Sequence, residues 1–306
     1  MISPIKRIVV GTDMSAMAAR AEMRAAMLAR ELGCESLDLL HVIDRLALES
    51  LRHLAEPRVD TEQHLMESAR HQLAEVERRL SDTYGIRVMT VTLNVGRTHS
   101  EIAHYAKLLK AGLVVLGAHG GGLMRDLFVG STVDKVLRTL PCPLLIVKRE
   151  PEAPYQRILV AVDFSESSRR GLELARSVAP RATATVLHAV EVPLEKKLKF
   201  DVEKIEAYRA ELSDRRSDEM QKLISSSGDD RLSWSHMVES GSPADVILKK
   251  AQALETDLVI IGRHGKAGWE DMLLGSVTKQ VLQYAPCDVL VVEAVEAGAV
   301  SSEGVT

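Results

Sequence analysis

The chain reads as α/β: two tandem doubly wound domains, each a five-stranded parallel sheet with helices on both faces. Three observations predict this. Short β-branched runs alternate with longer alanine-rich or amphipathic segments. Most strand-like runs are apolar throughout, the pattern of strands buried on both faces. The whole order of runs then occurs a second time.

The elements follow in order. Ile8–Gly11 is the first strand. Ala16–Leu32 is rich in alanine, the strongest helix former, and Gly33 supplies its stop. Leu37–Val42 is the second strand. Leu65, Ala69, Leu73, Val76 and Leu80 recur at steps of three or four, which places them on one helix face. Val88–Leu93 alternates toward period two, and Gly96 is read as opening a further helix through Leu109. Leu113–Leu116 and Leu144–Val147 are the last two strands. Right-handed crossovers between such strands give a doubly wound sheet. The second half repeats this order, with Pro243 near a helix start, where a missing N–H is harmless.

The repeat is explicit in the residues. Arg7-Ile8-Val9-Val10-Gly11-Thr12-Asp13-Met14-Ser15 returns as Arg157-Ile158-Leu159-Val160-Ala161-Val162-Asp163-Phe164-Ser165. Leu40-His41-Val42 returns as Leu187-His188-Ala189, and Gly117-Ala118-His119-Gly120 as Gly262-Arg263-His264-Gly265. Gly130-Ser131 and Pro141-Cys142 return as Gly275-Ser276 and Pro286-Cys287. The offset falls from 150 at the first aspartate to 147 at the histidine and 145 at the glycines, the signature of duplication with small deletions. The expected domains are 1–149 and 155–294, with 150–154 as an exposed extended linker and 295–306 as a tail. The chain from Glu293 on reads as frayed.

Composition narrows the function. At about 150 residues per domain, 306 residues make two domains. Hydrophobic residues at 46% against a net charge of −4 exclude a disordered chain. The absence of a basic excess argues against nucleic acid, and aromatics at 3% leave no base-stacking platform. Apolar runs such as Leu113–Gly117 fall far short of the roughly 20 residues of a membrane helix. Ile8-Val9-Val10 follows basic residues as in a signal peptide, but Asp13 interrupts it and no cleavage site follows. Cys34, Cys142 and Cys287 form no Cys-x-x-Cys pair; the expectation is a cytoplasmic protein with reduced thiols, and no metal site.

Ligands of open parallel sheets bind beyond the carboxyl ends of the strands, where the strand order switches. The residues delivered there are Asp13 and Ser15 with Val42, or Asp163 and Ser165 with Ala189. The glycine turns at 117–120 and 262–265 let backbone amides approach a phosphate. Gly130-Ser131-Thr132 and Gly275-Ser276-Val277-Thr278 each open an apolar-periodic helix, whose free amides and dipole favour an anion. An aspartate suits a ribose or base, and a small apolar residue suits the floor of an adenine.

The Gly-x-x-Gly-x9-Gly-Ser pattern, with Asp-x-Ser after the first strand and Leu-Leu-His-Val-Ile-Asp at residues 39–44, resembles the universal stress protein family. The resemblance covers nearly the whole chain twice, and the nine-residue spacer recurs at 121–129 and 266–274. It implies an adenine nucleotide alpha hydrolase-like fold and the ATP-binding branch of the family. By resemblance, Thr12, Asp13, Val42, Gly117, His119, Gly120, Gly130, Ser131 and Thr132 would contact nucleotide in the first half. Asp163, Ala189, Gly262, His264, Gly265, Gly275, Ser276, Val277 and Thr278 would do so in the second.

The halves differ at sites that bear on this reading. Val42 faces Ala189 in the comparison, Gly112 faces Asp257 (the family usually has an acid there), and Val133 faces Thr278, a hydroxyl expected near the phosphates. Arg263, opposite Ala118, is expected to add positive charge beside the second glycine turn. Blander roles stand beside the sharp ones: Asp13 and Asp163 as helix caps, the glycines as turns, His41 and His188 as structural histidines, Cys142 and Cys287 as core thiols, and Lys196-Lys197-Leu198-Lys199 as a solvated face. His119 and His264 are read as loop residues presenting their backbone.

The expected function is an ATP-binding regulator of the stress response, taking an adenine nucleotide with magnesium and passing its state to a regulatory protein partner. Strong catalysis is not expected: there is no Gly-x-x-x-x-Gly-Lys-Ser/Thr loop, no His-x-Gly-His step and no evident acid–base pair. The alternatives are a nucleotide-independent scaffold and a slow ATP hydrolase. The edge strands Leu144–Val147 and Val289–Val292 are expected to pair within the chain as an intramolecular pseudo-dimer, with homodimerisation left open.

Overall fold

The computed structural model describes residues 5–54, 60–118, 130–191, 202–226, 233–265 and 274–293. The first half runs β1 (Arg7–Thr12), α1 (Ala16–Leu32), β2 (Ser36–Asp44), α2 (Arg45–Leu54), α3 (Asp60–Tyr84), β3 (Val88–Gly96), α4 (Thr98–Leu108), β4 (Leu113–Gly117), α5 (Ser131–Thr139) and β5 (Leu144–Val147). The second runs β6 (Arg157–Ala161), α6 (Glu166–Val178), β7 (Thr183–Val190), α7 (Val202–Ser226), β8 (Ser233–Ser240), α8 (Pro243–Ala253), β9 (Leu258–Gly262), α9 (Ser276–Tyr284) and β10 (Asp288–Val292).

The strands form one sheet in the order β3-β2-β1-β4-β5-β10-β9-β6-β7-β8. Within each half every pairing is parallel. The halves meet where β5 pairs antiparallel with β10, Ile146 opposite Val289 and Leu144 opposite Val291. This pairing removes two of the edges that two separate sheets would expose. The strand order reverses between β1 and β4, and again between β6 and β9.

Local chemistry explains the elements. Ser15 caps α1 by accepting from the Ala18 N–H, and Gly33 ends it in the left-handed region at φ 60°. Ser165 caps α6 in the same way, accepting from Ser168 N–H. Pro243 occupies the first turn of α8. Aliphatic side chains of all four central strands are fully buried on both faces of the sheet, among them Ile8, Val10, Leu113, Val115, Ile158 and Ile260 on one and Val9, Val114, Leu159 and Val259 on the other.

One expectation needs correction. The third strand continues through Gly96, and α4 begins at Thr98 after Arg97, so Gly96 ends a strand instead of opening a helix. The cause is pairing: Ile43 and Asp44 of β2 continue opposite Val95 and Gly96. The segment after β2 forms a separate helix, α2. The linker is exposed at Glu150, Glu152 and Pro154 but anchored: Pro151 is buried, Ala153 O accepts from Arg24, and Glu150 pairs with Arg20.

The seam between the halves is polar and closed. Asp288 Oδ1 accepts from the Lys148 and Arg149 N–H groups, and Oδ2 accepts from the Tyr155 hydroxyl at 2.7 Å. Arg24 lies over the Tyr155 ring at 4.0 Å and 3.6 Å from Asp288 Oδ2. Both ions are nearly inaccessible, at 6% and 1% side-chain exposure, so their interdependence is strong. A cavity of about 420 Å3 adjoins this cluster. Its lining carboxylates Asp257 and Asp288 are already engaged by backbone N–H groups.

Candidate functional site

Each switch point lies at the carboxyl end of the first strand of its half. There the chain makes a tight turn, Asp13-Met14-Ser15 or Asp163-Phe164-Ser165. The aspartate Oδ1 accepts from the serine N–H at 3.0 and 3.1 Å. The middle residue is left-handed although bulky, with φ 62° at Met14 and 63° at Phe164. Such a conformation costs about 1–2 kcal/mol and persists only where its surroundings impose it. Part of that imposition is visible. His41 Nδ1–H donates to Thr12 O at 2.7 Å, and His188 Nδ1–H donates to Val162 O at 2.8 Å. Each histidine thus holds the carbonyl just before the aspartate, and Phe164 packs on the His188 ring with centroids 4.7 Å apart. Both histidines are structural, and they stand one residue before Val42 and Ala189.

The glycines are places of close approach. A side chain on Gly117 would put its Cβ 2.8 Å from Met17 O, and one on Gly262 would put it 2.5 Å from Ser167 Oγ. A Cβ on Gly265 would lie 2.9 Å from Asp163 Oδ2, so the glycine turn and the strand-end aspartate converge. Gly275 is less tight, its Cβ position 3.2 Å from Arg263 O and 3.8 Å from the His264 Cα. Gly130 and Gly275 are the N-caps of α5 and α9, and neither cap offers a side-chain hydrogen bond to the first turn. Ser131 and Ser276 are exposed at those N-termini. A glycine turn beside a helix start without a capping side chain is suited to an anion. The second half therefore brings Asp163, Gly262, His264, Gly265, Gly275 and Ser276 to one crevice. His264 Nε2 is buried there with no hydrogen-bond partner among the described residues. In the first half Asp13, Val42, Gly117, Gly130, Ser131 and Thr132 hold the corresponding places. His119 and Gly120 lie outside the described residues, as do 121–129, 266–273 and the lysines of 196–199.

Several sequence-level expectations change once side chains are placed. Thr12 is buried, and its hydroxyl donates to Glu22 Oε1 at 2.5 Å while accepting from Met14 N–H, so it braces the turn from within. Thr278 Oγ1 donates to Gly262 O at 2.7 Å, so this hydroxyl pins α9 to the end of β9 beside the second glycine turn. Asp257 sits before β9, at the opposite end of the sheet, where Oδ2 accepts from Gln156 and Arg157 N–H. The Gly112–Asp257 difference therefore does not touch the crevice. The Arg263 guanidinium leaves its own half and donates to Leu137 O and Leu140 O, at the C-terminus of α5. Glu293, read as the start of a frayed tail, is buried and pairs with Arg170 at 2.7 Å. Burial pushes the thiols of Cys142 and Cys287 up, Cys287 to about 12, as fits core residues.

The comparisons agree with this architecture. The model of the universal stress protein family matches residues 4–148 and again 154–293. The chain belongs to the universal stress protein family. A universal stress protein of Mycolicibacterium smegmatis is 27% identical over 307 residues, covering 93% of this chain and 96% of that one. One of Mycobacterium tuberculosis is 29% identical over 198 residues, 60% of this chain and 62% of its own. A universal stress protein of known structure from Archaeoglobus fulgidus superposes with a TM-score of 0.71 at 21% identity, over 95% of this chain and 99% of that chain, a likeness of fold. This tandem universal stress protein thus carries both family copies in one sheet. Among the described residues no helix is long and apolar enough to cross a membrane.

Proposed function

We propose that this universal stress protein binds an adenine nucleotide, ATP in the first instance, in the crevice of each half and acts as a regulator whose state a protein partner reads. The observation that carries the reading is the convergence of Asp163, Gly265 and the N-terminus of α9 at one switch point. A carboxylate fits a ribose or base, and glycine backbone with an uncapped helix start fits phosphates. Gly117, Gly262 and Gly265 have no room for a side chain as the neighbouring atoms stand, the expected mark of a backbone cradle. Among the described residues no three His, Cys, Asp or Glu side chains gather as a metal cage. Magnesium would accordingly arrive on the phosphates with part of its water shell. The two halves, joined through β5 and β10, form the intramolecular pseudo-dimer of this reading.

The test begins by denaturing freshly purified protein and identifying released nucleotide by mass spectrometry, then titrating ATP with magnesium by calorimetry. Ser131→Glu and Ser276→Glu each add an acid to a helix first turn, which favours the helix while repelling a phosphate. Each variant should lose one binding event, with affinity at that half falling more than about tenfold, or 1.4 kcal/mol. ATP binding unchanged in the double variant would place the ligand elsewhere. No binding at millimolar ATP would favour the nucleotide-independent scaffold.

A further inference from the structure

The two helices that open on the candidate phosphate sites, α5 and α9, are each tied at their far end by a cation of the opposite half. Arg263 follows β9, and its backbone is part of the second glycine turn: its carbonyl accepts from Gly275 N–H at 3.1 Å and its N–H donates to Val292 O at 2.7 Å. Its guanidinium crosses the seam to Leu137 O and Leu140 O, at 2.8 and 3.2 Å. Those are the last carbonyls of α5, whose first turn belongs to the first half's site. In return Lys148, which follows β5, donates from Nζ to Ala285 O at 2.9 Å. Ala285 is the C-cap of α9, whose first turn belongs to the second half's site. A cation at a helix C-terminus meets the negative end of the dipole and the unpaired carbonyls there.

The two braces do the same work with non-equivalent residues. The repeat places Ala118 opposite Arg263 and Glu293 opposite Lys148. The two cations therefore occupy positions of the repeat that do not match each other.

We propose that Arg263 and Lys148 are positioning residues for the anion sites of the opposite halves, so that each site is completed across the seam. The proposal rests on the nucleotide reading of these sites. Both α5 and α9 are only nine residues long, and anchoring one end fixes where the other end presents its amides. A change at the 262–265 turn of one site then reaches the other through a named contact, a physical link between sites and not mere proximity.

The test is a crossed pattern. Arg263→Met and Lys148→Met are each placed in the Ser276→Glu chain, which leaves only the first site, and in the Ser131→Glu chain, which leaves only the second. ATP with magnesium is titrated into all four. Arg263→Met should weaken the first site by roughly 2- to 30-fold, and by more than it weakens the second, to which Arg263 contributes backbone alone. Lys148→Met should weaken the second and spare the first. Arg263→Lys, which keeps the charge, should recover part of the loss. If each substitution weakens its own half the more, or neither weakens either, the proposal is overturned. Amide hydrogen exchange gives an answer independent of nucleotide. Arg263→Met should lower protection in α5 and not in α9, and Lys148→Met the reverse. A chain that binds no ATP but shows this exchange pattern would sink the nucleotide reading and keep the braces; unchanged exchange in both helices would sink the braces.

Discussion

The first and second halves share their strand order and differ most behind their first strands. In the first half Thr12, Glu22 and Arg79 form a polar chain, with Glu22 only 1% exposed and held by both partners. In the second half the positions of Thr12 and Glu22 are Val162 and Leu172, buried in the main core. One half supports its aspartate turn with a hydrogen-bonded buried acid, the other with apolar packing and with Ser168, whose hydroxyl donates to Asp163 Oδ1 and accepts from Asp163 N–H. The seam shows a second inequality. Asp288 holds four donors or cations, three from the first half and the Tyr155 hydroxyl from just past the linker, while the repeat places Pro143 opposite it, whose side chain offers no acceptor. A duplicated fold here keeps its strand order and most of its pairing register, and lets interior chemistry diverge wherever a local solution closes.

The largest effect should come from breaking the seam. Asp288→Ala leaves Arg24, 6% exposed, without its counter-ion and strands two N–H groups and the Tyr155 hydroxyl. Removing one partner of a buried pair typically costs about 3–5 kcal/mol. Urea unfolding should show a loss of that size. A loss under about 1 kcal/mol would mean that the halves are held by β5 and β10 alone.

The two strand-end glycines offer a sharper comparison. An added methyl at Gly117 meets the Met17 backbone carbonyl, whereas at Gly262 it meets the Ser167 hydroxyl first. Backbone cannot step aside, but a hydroxyl can rotate. Gly117→Ala should cost about 2–3 kcal/mol and Gly262→Ala about 1 kcal/mol, within the range for overpacking. Ser167→Ala should recover part of the second loss and cannot affect the first. Equal losses in thermal melts would show that α1 and α6 shift alike.

Exchanging the interiors addresses the difference directly. Thr12→Val with Glu22→Leu installs the second half's residues in the first. Arg79 is half-exposed and can be resolvated, so only the buried acid is removed from the balance. Replacing a buried ionic group by apolar residues of similar size is often stabilising, here by about 1–2 kcal/mol at neutral pH. The pH dependence fixes the sign. Burial raises the Glu22 carboxyl above the ordinary 4.5, against the opposing pull of Thr12 and Arg79. The folded chain then binds this proton more readily than the unfolded chain. Its favourable contribution is complete below about 4.5 and is lost as pH rises through the folded value. The exchanged chain should lack that decline. If it is less stable than the parent at pH 7, the polar chain is a net support and not a tolerated cost.

Much of this was legible in the residues. The repeat, the succession of strands and helices in each half, the helix Ala16–Leu32 with its Gly33 stop, and the structural role of His41 and His188 all follow from local pattern, and the structure holds them. Local pattern also located the glycine turns and the uncapped helix starts. It missed a side chain's partner where that partner is distant in sequence or lies in the other half. Arg263 reads as charge for its own site because nothing in its neighbourhood tells that α5 ends within reach. The partners of the Thr12 and Thr278 hydroxyls, Glu22 and Gly262 O, lie 10 and 16 residues away, so neither bond shows in the local pattern. The seam left a faint signal, an acid at 288 opposite a proline at 143, but the meaning of that exchange needs the antiparallel pairing of β5 with β10.

The smallest expected effect separates a brace from a structural prop. Burial pushes Lys148 down from 10.5 to about 8, opposed by the charges of Cys287 and Asp288. Those two groups face it from β10 and its approach, and Ala285 O takes one of its protons in a hydrogen bond. Because the folded value lies below the unfolded one, the folded chain holds fewer protons between about 8 and 10.5. Stability therefore rises with pH across that window, and the cost of keeping the ammonium buried is fully present below about 8. Lys148→Met should remove that cost, giving a slightly more stable chain at pH 7 and a flatter profile between pH 8 and 10.5. A prop would behave in the opposite way, since its loss would lower the melting temperature at neutral pH. A charge retained at a cost to stability points to what the charge positions, and here that is the C-terminus of α9 and, through nine residues of helix, the Ser276 end of the second crevice.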